Sequence, residues 1–126
     1  MKKLGIKPGL RMYVAGPPGS YFDWLGPLPE GVNASKTLSG TFDFIHLFVK
    51  DQKSFRAVLI KAKAQLKSDG MVWVSWPKKS SGVATDLDEN VIRDFALDNG
   101  LVDVKVCAVD ETWSGLKLVI PVKFRK

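Results

Sequence analysis

The sequence predicts an open α/β three-layer sandwich, a mostly parallel sheet that ends in an antiparallel hairpin. Three observations carry this. Phe42–Val49 and Met71–Trp76 are apolar on both alternating faces, as strands in the middle of a helix-covered sheet are. A stretch with helical apolar spacing follows each of them, so strands alternate with helices and the crossovers are right-handed. Two alternating runs around a polar turn then close the chain as a hairpin.

The elements follow in order. Pro8-Gly9 is a turn, and Leu10–Ala15, with Met12 and Val14 apolar, is a first strand. Gly16-Pro17-Pro18-Gly19 ends it. Ser20 can cap a short helix carrying Tyr21, Phe22, Trp24 and Leu25, which Gly26-Pro27 stops. A weak strand, Val32–Leu38, comes next. In Phe42–Val49, Phe44 and Phe48 lie on one side and Ile45, Leu47 and Val49 on the other. Asp51 caps a helix with Phe55, Val58, Leu59, Ala62 and Leu66 inward, and Asp69-Gly70 ends it with a left-handed glycine. Met71–Trp76 is the second buried strand and Pro77–Thr85 a polar loop. Asp86 and Glu89 stand at capping-box spacing, opening a helix with Leu87, Val91, Phe95 and Ala96 inward, closed by Asn99-Gly100. Val102, Val104, Val106 and Ala108 alternate with polar residues. Leu116, Leu118, Ile120, Val122 and Phe124 alternate with Lys117, Val119 and Lys123, across the turn Asp110–Gly115. The expectation is one domain spanning residues 1–126.

Composition excludes several classes. Lys and Arg number 19 against 13 Asp and Glu, for a net charge of +6. One cysteine allows no internal disulfide, and one cysteine with one histidine makes no structural zinc cluster. Leu4-Gly5-Ile6 is followed by Lys7-Pro8-Gly9, so no signal-peptide core develops, and no apolar run spans a bilayer. The expectation is a cytoplasmic, soluble protein.

The order of elements resembles a class I methyltransferase (Rossmann-like) fold. GIKPGLRMYVAGPPG resembles its first strand and glycine loop, FDFIHLFV its fourth strand, LKSDGMVWVSWP a helix end and fifth strand, and the terminal hairpin its reversed last strands. More closely, Leu4–Ile120 resembles a family of small bacterial proteins of unknown function, described as truncated methyltransferase-like domains. The stretches that carry this are WPKKSSGVATDL (Trp76–Leu87) and GLVDVKVCAVDETWSGLKLV (Gly100–Val119).

The resemblance implies a fold shortened by one helix–strand unit, because only one helix and one strand fit between Gly16 and Phe42. It also shows what the S-adenosylmethionine site would need. The glycine loop here, Ala15-Gly16-Pro17-Pro18-Gly19-Ser20, holds two prolines, which remove N–H donors. The weak strand is followed by Ser39-Gly40-Thr41, with no carboxylate for a ribose. Lys50-Asp51 replaces the Asn/Asp-Pro-Pro-aromatic run that grips an amine. The expectation is therefore no cofactor and no catalytic residue; the alternative is a degenerate S-adenosylmethionine-dependent methyltransferase.

Ligands of open α/β sheets bind at the C-terminal ends of the strands. The segments expected there carry the candidate ligand-binding residues: Gly16, Gly19, Trp76, Lys78, Lys79, Ser80, Asp110, Glu111 and Trp113. One reading is a site for a small anionic or nucleotide-like ligand, or for a protein partner. Lys78 and Lys79 hold the charge and Trp76 or Trp113 stacks a ring. The other is structural: a lysine pairs with Asp110 or Glu111 to pin the hairpin, and Trp113 is a lid over the core. On either, the Trp76–Asp86 loop touches the Asp110–Gly115 turn. His46 reads as a hydrogen-bonded core histidine, Cys107 as a half-buried thiol, and Ser75 lacks a nucleophile elbow. Weak nucleic-acid binding is a further alternative suggested by the charge, but Lys53, Arg56, Lys61, Lys63 and Lys67 read first as one helix's solvated face. The edge at Val32–Leu38 leaves the chain a monomer or a homodimer.

Overall fold

A computed structural model of the chain describes residues 9–16, 30–35, 40–78, 82–109 and 112–121. Among these the elements are β1 (Arg11–Ala15), β2 (Asn33–Ser35), β3 (Phe42–Phe48), α1 (Gln52–Ala64), β4 (Leu66–Pro77), α2 (Glu89–Asp98), β5 (Val102–Ala108) and β6 (Trp113–Val119). The expected helix at Ser20–Leu25 lies outside the described residues.

The strands form one sheet in the order β2-β1-β3-β4-β6-β5. β2, β1, β3 and β4 are parallel, and β6 runs antiparallel to both β4 and β5. The chain thus steps outward from β1 to β2, returns past β1 to β3, and continues to β4. Both described helices cover the same sheet face, because the crossovers they make proceed in the same direction with the same hand. Under them lie Ile45, Leu47, Phe55, Leu59, Val72, Val74, Ile92 and Leu118. The opposite face buries a second cluster of Met12, Phe44, Phe48, Trp73 and Trp113. The double-sided apolar pattern of β3 is explained by this arrangement.

α1 begins where the sequence predicts. Asp51 is extended and its carboxylate accepts from the Ser54 N–H at 2.9 Å. Its end differs. The helical spacing predicts continuation to Leu66, but α1 stops at Gln65 and Leu66 enters β4 opposite Phe42. The Phe42 N–H donates to the Gln65 carbonyl at 2.8 Å, so the start of β3 takes these residues as its ladder partner. Lys67 also pairs with Asp43 at 3.1 Å. Gly70 is accordingly not a left-handed cap. It lies within β4, where an added Cβ would stand 2.8 Å from Leu66 Cδ1 and 3.0 Å from the Asp43 carbonyl.

Two further boundaries are corrected. The N-cap of α2 is Asp88, whose carboxylate accepts from Val91 N–H at 2.8 Å, and not Asp86. The inward face of α2 includes the fully buried Ile92 beside Ala96, with Val91 and Phe95 partly buried. The hairpin turn is also tighter than Asp110–Gly115, because Trp113, Ser114 and Gly115 already pair with Pro77, Trp76 and Ser75 of β4. Hydrogen bonding to a neighbouring strand decided this, and the glycine had suggested a turn.

β2 and β5 form the edges of the described sheet. β5 is irregular between Asp103 and Lys105, and Val104 and Val106 are 54% and 52% exposed. Arg93 of α2 ties this edge down by bonding Asp103 at 3.0 Å and also Glu89. On the face away from the helices, Lys105 sits directly across from Lys117. Like charges opposite one another on a sheet destabilise it. Lys105→Glu is expected to raise stability by about 0.2–1 kcal/mol, read as a higher urea midpoint that shrinks with added salt.

Candidate functional site

The C-terminal ends of β1, β3 and β4 share one rim, and the direction of the chain reverses between β1 and β3. Ligands of open α/β sheets bind at such a switch point. A cleft of about 460 Å³ lies there, lined among the described residues by Gly16, Phe48, Val49, Lys50, Asp51, Ser54 and Trp113.

Each wall has a local cause. Gly16 turns the chain out of β1 at φ +63°, a conformation that favours glycine, and an added Cβ would stand 3.2 Å from the Phe48 carbonyl. The ends of β1 and β3 are therefore pressed together. The Val49 N–H donates to the Ser75 carbonyl at 3.0 Å and continues the ladder past β3. The loop after β4 then folds back. The Thr85 hydroxyl donates to the Lys50 carbonyl. The Gln52 N–H donates to the Asp86 carboxylate at 2.8 Å, while the Gln52 side chain donates to the Asp86 carbonyl at 2.9 Å. Asp86 thus serves the start of α1, the helix before the one the sequence assigns it to. With Asp51 on Ser54, two carboxylates meet the positive end of α1. The Ser54 N–H holds the Asp51 carboxyl below its ordinary value.

The apolar floor is made by Phe48 and Trp113, whose rings meet edge to face with centroids 5.0 Å apart. Behind Phe48 lies His46, fully buried and stacked on it at 4.3 Å. Its Nε2 shares a 2.6 Å hydrogen bond with the Ser75 hydroxyl. Burial pushes the imidazole pKa down to about 3, so the ring is neutral at physiological pH. His46 is the core histidine that the sequence suggests, and Ser75, also fully buried, is its partner. Cys107 is half-buried against the cluster opposite the helices.

Of the residues singled out from sequence, the structure describes Gly16, Trp76, Lys78 and Trp113. Gly19, Lys79, Ser80, Asp110 and Glu111 lie outside the described residues. The expected meeting of the two loops occurs along the backbone. The Lys78 N–H donates to the Thr112 carbonyl at 2.8 Å, and Pro77 pairs with Trp113. The two tryptophans do not share a surface. Trp76 is 7% exposed in the cluster beneath the helices, and Trp113 is 8% exposed in the opposite cluster. They cannot stack the same ring, because neighbours in sequence and register alternate faces. Gly16 and Trp113 reach the cleft together.

Sequence reasoning missed Lys50, Asp51 and Ser54 as walls. The signal was present, since the rule that places the ends of parallel strands on one rim applies to β3 as it does to β1. Among the described residues no group of His, Cys, Asp and Glu is placed to hold a metal ion, and no helix is long and apolar enough to cross a membrane.

This sheet order, crossed by helices and closed by a reversed hairpin, is that of a shortened class I methyltransferase-like fold with a Rossmann-like architecture. The chain belongs to the family described as Protein of unknown function (DUF3052), whose model matches residues 36–122. Solved structures agree on the fold. A SAM-dependent methyltransferase from Aquifex aeolicus is similar at a TM-score of 0.70 and 16% identity, over 94% of this chain and 86% of that one. Fibrillarin from Aeropyrum pernix, with natively bound S-adenosyl-L-methionine, is similar at 0.64 and 17%, over 94% and 70%. Magnesium protoporphyrin IX methyltransferase from Synechocystis, with bound SAM, is similar at 0.62 and 16%, over 89% and 70%. No curated protein sequence matches the chain.

Proposed function

We propose that this protein is a non-catalytic binding module with a methyltransferase-like fold, and that a small anionic or nucleotide-like molecule occupies the rim cleft between Gly16 and Trp113. The observation that carries the reading is the cleft itself, at the switch point, with an apolar floor of Phe48, Val49 and Trp113 next to Lys50. A flat ring loses water contact against such a floor while Lys50 meets an anionic group at the mouth.

The chemistry of the walls supports binding without catalysis. The carboxylate in the cleft, Asp51, is engaged as the cap of α1 and held ionised, which suits a helix terminus better than proton transfer. The imidazole nearest the cleft, His46, is sealed behind Phe48. No Asp or Glu occurs between Asn33 and Thr41, where a ribose carboxylate would follow β2. Pro17 and Pro18 offer no N–H donors after Gly16.

Thermal-shift and amide-resonance titrations with AMP, ATP and S-adenosylmethionine test this. A nucleotide is expected to raise the melting temperature with concentration and to move the resonances of Gly16, Lys50 and Ser54 and the Trp113 indole. Lys50→Glu, an exposed change, is expected to abolish that response at unchanged stability. S-adenosylmethionine is expected to give no rise. A concentration-dependent rise with S-adenosylmethionine would return the domain to the cofactor binders. Silence towards all three compounds would retire the rim as a small-molecule site.

A further inference from the structure

β5 ends the described sheet and is bonded to β6 on one side only. Alternate backbone N–H and C=O groups of such a strand point outward, where a further strand can pair with them. β4 and β6 separate β5 from β3, and among the described residues β5 gives none to the rim cleft.

The helix-side face of this edge is apolar. Val106 stands opposite Leu116 of the cluster beneath the helices, yet it is 52% exposed. α2 leans towards α1, where Phe95 meets Phe55 with ring centroids 5.4 Å apart. Its opposite flank carries Arg93, which reaches Asp103 at 3.0 Å. Leu97 lies one turn along from Arg93 on that flank. Leu97 is 51% exposed, and Val104 in the irregular part of β5 is 54% exposed. Three of the five large apolar side chains exposed among the described residues thus gather at this edge. Single exposed apolar residues are ordinary, whereas a group of them marks a contact surface.

The other face is cationic. Lys105 stands directly across from Lys117, and neither belongs to a described ion pair. On the helix side, by contrast, Arg93 is matched by Glu89 and Asp103. Beyond Lys117 the same row continues to Trp73, which carries no charge. A cost to stability left unrelieved is what functional sites carry.

An added strand places one side chain directly beside Lys105, at a Cβ separation of about 4.5–5.5 Å. A carboxylate there offsets the repulsion between the lysines. Side chains of that strand alternate between faces, so its neighbours turn towards Val106. The edge therefore selects a segment in which carboxylates alternate with apolar residues. A second copy of this chain, paired about a two-fold axis, would bring another Lys105–Lys117 pair to the same face. The irregularity beside Lys105 and the lysine itself turn away unselected strands.

We propose that β5 docks an extended acidic–apolar segment of a partner protein as a seventh strand of the described sheet. Its carboxylate meets Lys105, and its apolar side chains lie along Val106 on the side of Leu97. This surface is independent of the rim reading.

Photo-crosslinking from position 106 in cells that make the protein, with mass-spectrometric mapping of the attached peptide, tests this. The expected adduct is a segment of another protein in which acidic and apolar residues alternate. Made as a synthetic peptide, that segment is expected to bind the purified protein and to slow amide exchange in β5. Lys105→Glu is expected to weaken it at least tenfold without lowering the melting temperature, so the loss is not one of folding. The same peptide with lysine in place of its acidic residues is expected to prefer the Lys105→Glu variant over the parent. Adducts to nucleic acid, to a second copy of this chain or to the chain's own ends would overturn the proposal. So would an absence of adducts, a peptide that leaves β5 exchange unchanged, or an affinity indifferent to Lys105→Glu.

Discussion

Thermal stability is expected to fall between pH 6.5 and pH 3 through one buried side chain, His46. Its imidazole is fully buried and its pKa is pushed down from 6.5 to about 3. In the unfolded chain the same ring takes up a proton near pH 6.5. Above that value both states hold it neutral and no stability is at stake. Below it the unfolded state binds a proton that the folded state refuses, so stability is lost progressively until the folded pKa is reached. The loss grows as the pH falls through that window and is on the order of a few kcal/mol in all. The check is a series of melting temperatures in which His46→Phe/Ser75→Ala removes both polar groups together. That pair is expected to flatten the profile between pH 4.5 and 6.5 while costing little at pH 7, because both partners of the 2.6 Å bond disappear. Ser75→Ala alone is expected to cost about 1–3 kcal/mol at pH 7, since it removes a partner from a buried nitrogen. A parent whose profile matches that of the double variant would refute the assignment.

Trp113→Ala is expected to destabilise the protein by about 3–5 kcal/mol, the range for deleting a buried indole. Trp113 is 8% exposed, packs edge to face on Phe48, and opens β6 opposite Pro77. Its loss opens a cavity against Phe48, behind which His46 is stacked. Loss of ligand binding in this variant would therefore report on folding as much as on recognition. Trp113→Phe keeps the ring contact and is expected to cost well under half as much. Urea unfolding of the two variants decides the matter. A cost for Trp113→Ala below about 1 kcal/mol would show that the indole is surface decoration and not floor.

These two residues illustrate how far sequence carries. His46 was legible because it interrupts a strand that is apolar on both faces, a setting that calls for a hydrogen-bonded neutral ring. Its partner was not legible, since Ser75 lies on another strand and only the register of β3 with β4 brings them together. Trp113 was singled out among polar neighbours in an apparent turn. Whether it faced solvent or core depended on β6 starting at Trp113, which is decided by pairing with β4 and not by local composition.

The sequence by itself determined the class of sheet, the helix start at Asp51 and the closing hairpin, because these rest on periodicity and capping. Tertiary structure alone decided where α1 stops, which helix Asp86 serves, that Trp76 and Trp113 lie on opposite faces, and that Lys50 and Asp51 line a cleft. The physical reason is the same in each case. Local propensity fixes one residue's preference to a fraction of a kcal/mol, whereas an unpaired strand edge or an uncapped helix end in the assembled fold is worth more, and takes whichever neighbour the topology brings within reach.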